Sequence, residues 1–138
     1  VADAADLYQQ QLLAHAKAPH GAGRLSTPDA SATLDNPLCG DRITLDIACD
    51  GEVITQIGHE VKGCALCQAA ASVIALKAPG QTRTALAALE PAIRDMLTRD
   101  AEPPFEELRF FTPVRGYKSR HDCVSLPFRA LSKALAQK

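Results

Sequence analysis

The sequence predicts an α+β domain in which a small antiparallel sheet of about three strands packs against several helices. Three observations carry this. Helix-period apolar patterns stand at both ends of the chain, a hairpin signal lies between them, and the strand–helix–strand alternation of a parallel sheet is absent. The 138 residues are read as one domain, 1–138, large enough to bury a core without disulfide staples.

The elements follow in order. Over residues 3–17, Ala5, Tyr8, Leu12 and His15 share one helical stripe, which Pro19, Gly21 and Gly23 end. The polar stretch RLSTPDASATLD reads as loop. From Arg42 to Cys49, Ile43, Leu45 and Ile47 alternate with polar residues. Asp50-Gly51 then turns the chain into EVITQIGHEVKG, giving a hairpin with room for a further strand before Gly63. Leu66, Ala70, Val73 and Ile74 define a helix that Pro79-Gly80 stops. After Thr82, Leu86, Leu89, Ile93, Met96 and Leu97 keep helical phase, with Pro91 expected to kink or divide the run. A short helix is expected around Phe105 to Phe110, and Phe128, Leu131 and Leu135 lie on a last one.

A net charge of −1, from 15 Lys and Arg against 16 Asp and Glu, leaves no footprint for nucleic acid or an anionic membrane. Apolar stretches fall well short of the roughly 20 residues that span a bilayer. The expectation is a soluble cytoplasmic protein with neither nucleic acid nor membrane as partner. The five cysteines are an odd number, which fits reduced thiols serving as metal ligands or reactive groups better than a disulfide framework.

Cys64 follows Gly63 at a strand-to-helix junction, where unpaired N–H groups and the helix dipole favour a thiolate. Cys123 reads similarly: Pro127 is comfortable only in a helix's first turn, which puts Cys123 at or just before the start. Cys39 sits in the turn NPLCGD, with Gly40 allowing a tight backbone and Asp41 offering an oxygen ligand. Three thiolates and a carboxylate make a four-coordinate metal site. Cys67 forms C-x-x-C with Cys64 and could be a ligand, a redox partner or packing. Cys49 reads as a small buried hydrophobe. His15 and His59 read as structural, and His20 as a loop residue with no visible partner. His121, two residues before Cys123, could reach a metal. Glu106, Glu107 and Arg109 read as a solvated face. Ser72 and Ser125 have no Ser/His/Asp context and no Gly-rich phosphate loop is present, so neither a hydrolase nor a nucleotide-binding reading has support.

At these residues the sequence resembles the IscU/SufU family, the NifU N-terminal-like proteins of iron–sulfur cluster assembly. NPLCGDRI is similar to the family's N-P-x-C-G-D segment, KGCALCQAAAS to its second cysteine block and SRHDCVSLPFRAL to its third. LYQQQLLAHAKAPHGAGRL is similar to its first helix and following turn. The likeness runs from Leu7 to Leu131, weakest between Gly80 and Tyr117, and the long stretch between Cys64 and Cys123 together with Arg120 resembles the SufU branch.

The resemblance implies a SufE/IscU-like fold. It also implies that Cys39, Cys64 and Cys123 bind a transient iron–sulfur cluster, of the two-iron two-sulfur type, or zinc, with Asp41 as fourth ligand or labiliser. Its partners would be a cysteine desulfurase and recipient apoproteins, acting on a monomer or weak dimer. Four departures stand out. Asp122 occupies the place of the histidine that precedes the third cysteine in IscU proteins, Ala70 replaces a serine, and Cys67 is an additional thiol. The Leu-Pro-Pro-Val-Lys chaperone motif is reduced to Pro113-Val114-Arg115.

Four functions are therefore weighed. The first is a scaffold for cluster assembly, more a site of exchange than a turnover enzyme. The second is a zinc-dependent sulfurtransferase, with Cys39 and then Cys123 as the acceptors of persulfide sulfur from the desulfurase. The third is a thiol oxidoreductase using Cys64 and Cys67. The fourth is a closed structural zinc site in an adaptor domain.

Overall fold

A computed structural model describes residues 4–37 and 40–137 of the chain. The first helix, α1 (Ala4–Lys17), leads through a loop to three antiparallel strands, β1 (Ala30–Asn36), β2 (Asp41–Asp50) and β3 (Val53–Lys62), in the order β1-β2-β3. Then come α2 (Ala65–Lys77), α3 (Arg83–Ala87), α4 (Leu89–Thr98), a 3-10 segment (Glu106–Gly116) and α5 (Lys118–Leu135). No described helix is long and apolar enough to cross a membrane.

Alternation along β2 sends Ile43, Leu45 and Ile47, all fully buried, to one face of the sheet. There α5 packs across β1 and β2 with Leu126, Phe128 and Leu131, and also against α2. The small side chains Ala69, Ala70 and Ala71 of α2 are buried, so the helices of this layer can approach closely. The opposite face of the sheet carries polar pairs such as Thr33 and Thr44, whose hydroxyls lie 3.0 Å apart.

Several expectations hold. The Arg42–Cys49 strand, the Asp50-Gly51 turn and the helix after Gly63 are all present, and Leu86, Leu89, Ile93, Met96 and Leu97 are buried. Others are corrected. Part of the stretch read as loop is β1, which pairs with β2 along its whole length from Ala30↔Ile47 to Asn36↔Asp41. Its core-facing residues include Ala30 and Ala32, too small to give a strong apolar alternation, and pairing rather than propensity decides it. β3 runs unbroken to Lys62, so the third strand lies upstream of the hairpin rather than before Gly63.

The helical run after Thr82 divides at Ala88 instead of Pro91. Pro91 falls in the first turn of α4, where its missing N–H costs no hydrogen bond. The segment around Phe105–Phe110 is a 3-10 segment that continues to Gly116. Cys123 is not at a helix start, because α5 begins at Lys118 and Cys123 lies more than one turn inside it. Pro127 is tolerated within the helix because the N–H it withholds concerns one carbonyl, that of Cys123, while its ring is buried with Leu126 and Phe128.

Candidate metal centre

Asp41 is the first residue of β2 and is only 2% exposed. The preceding Gly40 has φ +71°, a left-handed conformation that glycine adopts without strain. Gly63, just past the end of β3, faces the carboxylate: a β-carbon there would stand 2.6 Å from Asp41 Oδ1 and 3.1 Å from its Cβ. Glycine is what allows this close approach.

Cys64 follows as N-cap of α2, with extended backbone (φ −74°, ψ 171°) and no side-chain capping bond. Its N–H donates to Asp41 Oδ1 at 3.0 Å and its thiol to Oδ2 at 3.6 Å. Cys123, fully buried on α5, brings the second sulfur. One carboxylate oxygen and the two sulfurs all lie within 4.8 Å of one another. Around a tetrahedral zinc with bonds of about 2.3 Å, sulfurs stand roughly 3.8 Å apart, so modest closure would let all three atoms share one ion. Among the described residues Asp41 makes no ion pair. A buried carboxylate without a cation is costly, and the adjoining thiols are soft metal ligands.

Other residues named from sequence fall differently. Cys39, two residues before Asp41, lies outside the described residues. Cys67 is fully buried in the core and is not part of the three-ligand group, which does not suit an attacking thiol. Cys49 is half-buried on β2 beside a register shift, with Arg83 Nη1 donating to its sulfur at 3.9 Å. His121 is also outside the group: its Nε2–H donates to the carbonyls of Val114 (3.0 Å) and Arg115 (3.1 Å). Asp122 is exposed.

Two polar features escaped the sequence reading. Asn36, paired with Asp41 between β1 and β2, is 5% exposed, and among the described residues its Nδ2 has no hydrogen-bond partner. Ser72, fully buried, accepts the His20 N–H at 2.9 Å and lies 2.7 Å from His15 Nδ1, while His59 Nε2–H donates to the His20 carbonyl at 2.7 Å. His20 thus has partners through its backbone. Burial, with His20 nearby, lowers the pKa of His15. Burial likewise lowers that of His59, outweighing its bond to His20. These residues tie α1 and the loop after it to α2 and β3.

The α+β domain brings a strand-end carboxylate, a helix-cap thiol and a helix-face thiol to one point, a donor set of the kind that holds a metal ion. The profile of the NifU-like N terminal domain matches residues 7–104, and the chain belongs to that family. It is similar to the zinc-dependent sulfurtransferase SufU of Bacillus subtilis, at 27% identity over 134 residues, covering 95% of this chain and 90% of that protein. It is also similar to the iron–sulfur cluster assembly scaffold protein IscU of Streptococcus pyogenes serotype M1, at 29% identity over 132 residues, covering 94% and 82%. Among solved structures, the N-terminal NifU-like protein of Brucella abortus superposes with a TM-score of 0.89 at 36% identity, covering 96% of this chain and 94% of that one.

Proposed function

We propose that this protein is an iron–sulfur cluster assembly scaffold whose site is formed by Asp41, Cys64 and Cys123 together with Cys39. The observation that carries the proposal is the buried Asp41 carboxylate, which has two cysteine sulfurs as neighbours and, among the described residues, no ion pair. Cys39, two residues before Asp41 in the sequence, would complete a three-sulfur, one-oxygen donor set. Such a set suits cargo that must be held and then released, because the oxygen is a poorer partner for iron–sulfur chemistry than a fourth thiolate. The fully buried Cys123 and half-buried Cys64 hold the inner side of the group, and Cys39 is assigned the role of sulfur acceptor.

The same donor set also fits zinc, and the absence of a histidine from the group favours a second reading, sulfur transfer. When bound, zinc would hold the sulfurs as thiolates. In that reading the Cys39 thiolate attacks the outer sulfur of a desulfurase persulfide. A new S–S bond forms on Cys39, the old one breaks, and the desulfurase cysteine leaves as a thiolate. Cys123 is the second candidate acceptor. A cysteine desulfurase and recipient apoproteins in a reducing compartment are the partners in either reading.

The test is metal content in single variants. Cys39→Ser, Cys64→Ser and Cys123→Ser should each abolish metal binding, whereas Cys49→Ser should retain it. Equal retention in all four would remove the three-cysteine site.

A further inference from the structure

A second concave site lies on the far side of α5. The cleft between α4 and α5 has a volume of about 650 Å³, within the range of small-molecule pockets. Four cations line it, Arg94, Arg115, Lys118 and Arg129, against two carboxylates, Glu90 and Asp122. Two of the cations are already engaged: Arg94 is held by Glu90 at 2.6 Å, and Arg115 donates to the carbonyls of Met96 and Ala101 and pairs with Asp100.

The other two are different. Among the described residues the side chains of Lys118 and Arg129 make no hydrogen bond or ion pair, and Arg129 Nε is shielded from solvent with no partner. A guanidinium keeps its charge at any working pH, so an Arg129 head that lines the cleft without a carboxylate partner calls for an acceptor there. Lys118, Ser125 and Arg129 project from one face of α5, spaced seven and four residues apart, so their ammonium, hydroxyl and guanidinium donors converge on the cleft. Nothing described in the protein supplies the oxygens they lack.

We propose that this cleft binds a small multivalent oxyanion, bearing phosphate or carboxylate groups, through Arg129, Lys118 and Ser125. Its confined volume and the chain's net charge of −1 point to a small molecule rather than a polyanion. The site is distinct from the Asp41–Cys64–Cys123 group, since Cys123 lies on the core-facing side of α5.

The test is calorimetric titration of the full chain at low ionic strength with pyrophosphate and, separately, with citrate. Saturable one-to-one binding of at least one of them, with a dissociation constant below about 1 mM, is expected, and the better probe distinguishes phosphate from carboxylate recognition. Arg129→Met should weaken it about tenfold or more, and Lys118→Met several-fold, with circular dichroism unchanged. Arg99→Gln, a change of an exposed cation outside the cleft, should leave binding as it was. Cys64→Ser should also bind normally, which separates the cleft from chelation at the metal centre. The proposal is overturned by absence of saturable binding of both anions, by undiminished binding in folded Arg129→Met, or by loss of binding in Cys64→Ser.

Discussion

Two buried aspartates on one strand are treated in opposite ways. Asp46, in the middle of β2, is fully buried and surrounded by donors. Arg24 reaches it with Nε at 2.7 Å and Nη2 at 3.1 Å, the Leu25 N–H at 3.0 Å and the Ser31 hydroxyl at 2.5 Å. Burial pushes its pKa up, but the bonds from Arg24, Ser31 and Leu25 outweigh that and leave it below the usual carboxylate range. Asp41, five residues earlier, is almost as buried yet among the described residues has only the N–H and thiol of Cys64. One carboxylate is compensated by the protein, and the other, among the described residues, is not, which is what the proposed metal site would use. A fold keeps such an uncompensated group where function requires it, at some cost to stability.

The comparison is sharpest when the same substitution is made at both positions. Asp46→Asn should destabilise the protein by about 2 kcal/mol, measured by urea unfolding, because the fully buried side chain loses the charge around which the Leu25 N–H, the Ser31 hydroxyl and the half-exposed Arg24 are arranged. Asp41→Asn keeps an oxygen for the Cys64 N–H while removing the uncompensated charge. In metal-free protein it should be neutral or stabilising by up to about 1 kcal/mol, yet weaken metal binding about tenfold or more. Equal destabilisation by both changes would break the comparison.

Gly63→Ala probes the approach to Asp41 from outside the ligand set. Its methyl would displace the carboxylate, so metal affinity should fall about tenfold while the apo protein stays folded by circular dichroism.

The smallest effect is expected from pH. His15 and His59 are both held neutral, with pKa values lowered by burial, so below their ordinary value of about 6.5 the unfolded chain binds more protons than the folded one. Stability should therefore fall as pH drops from about 7.5 to 5.5. Thermal melts of the metal-free protein would show this, and His59→Gln should flatten the slope.

Much of the fold was legible because its strongest elements are locally consistent. The alternation of Ile43, Leu45 and Ile47 and the Asp50-Gly51 turn state a hairpin, and the small apolar run after Gly63 states a helix. β1 was not, since Ala30, Ala32 and Leu34 among Ser, Thr, Asp and Asn acquire strand structure only by pairing with β2. Pro127 misled for a related reason: a local rule about proline yields to the packing of the long α5 against the sheet. In the site, Cys64 at a helix cap followed from the glycine before it, and Asp41 from its turn. That Cys123 meets them depends on how α5 crosses the sheet, which no local pattern encodes. The hydrogen bonds of Ser72 to His15 and His20 join positions more than fifty residues apart and were equally invisible.

The most direct test of the central claim is anaerobic elemental analysis with a visible spectrum, before and after incubation with a cysteine desulfurase, free cysteine and ferrous iron. The account predicts iron–sulfur absorption with matching acid-labile sulfide, and its loss in Asp41→Ala and Cys123→Ser. One equivalent of zinc, no new absorption and faster desulfurase turnover would keep the site but make it a sulfur acceptor. A protein that binds neither metal nor cluster, with desulfurase turnover unchanged, would contradict the account.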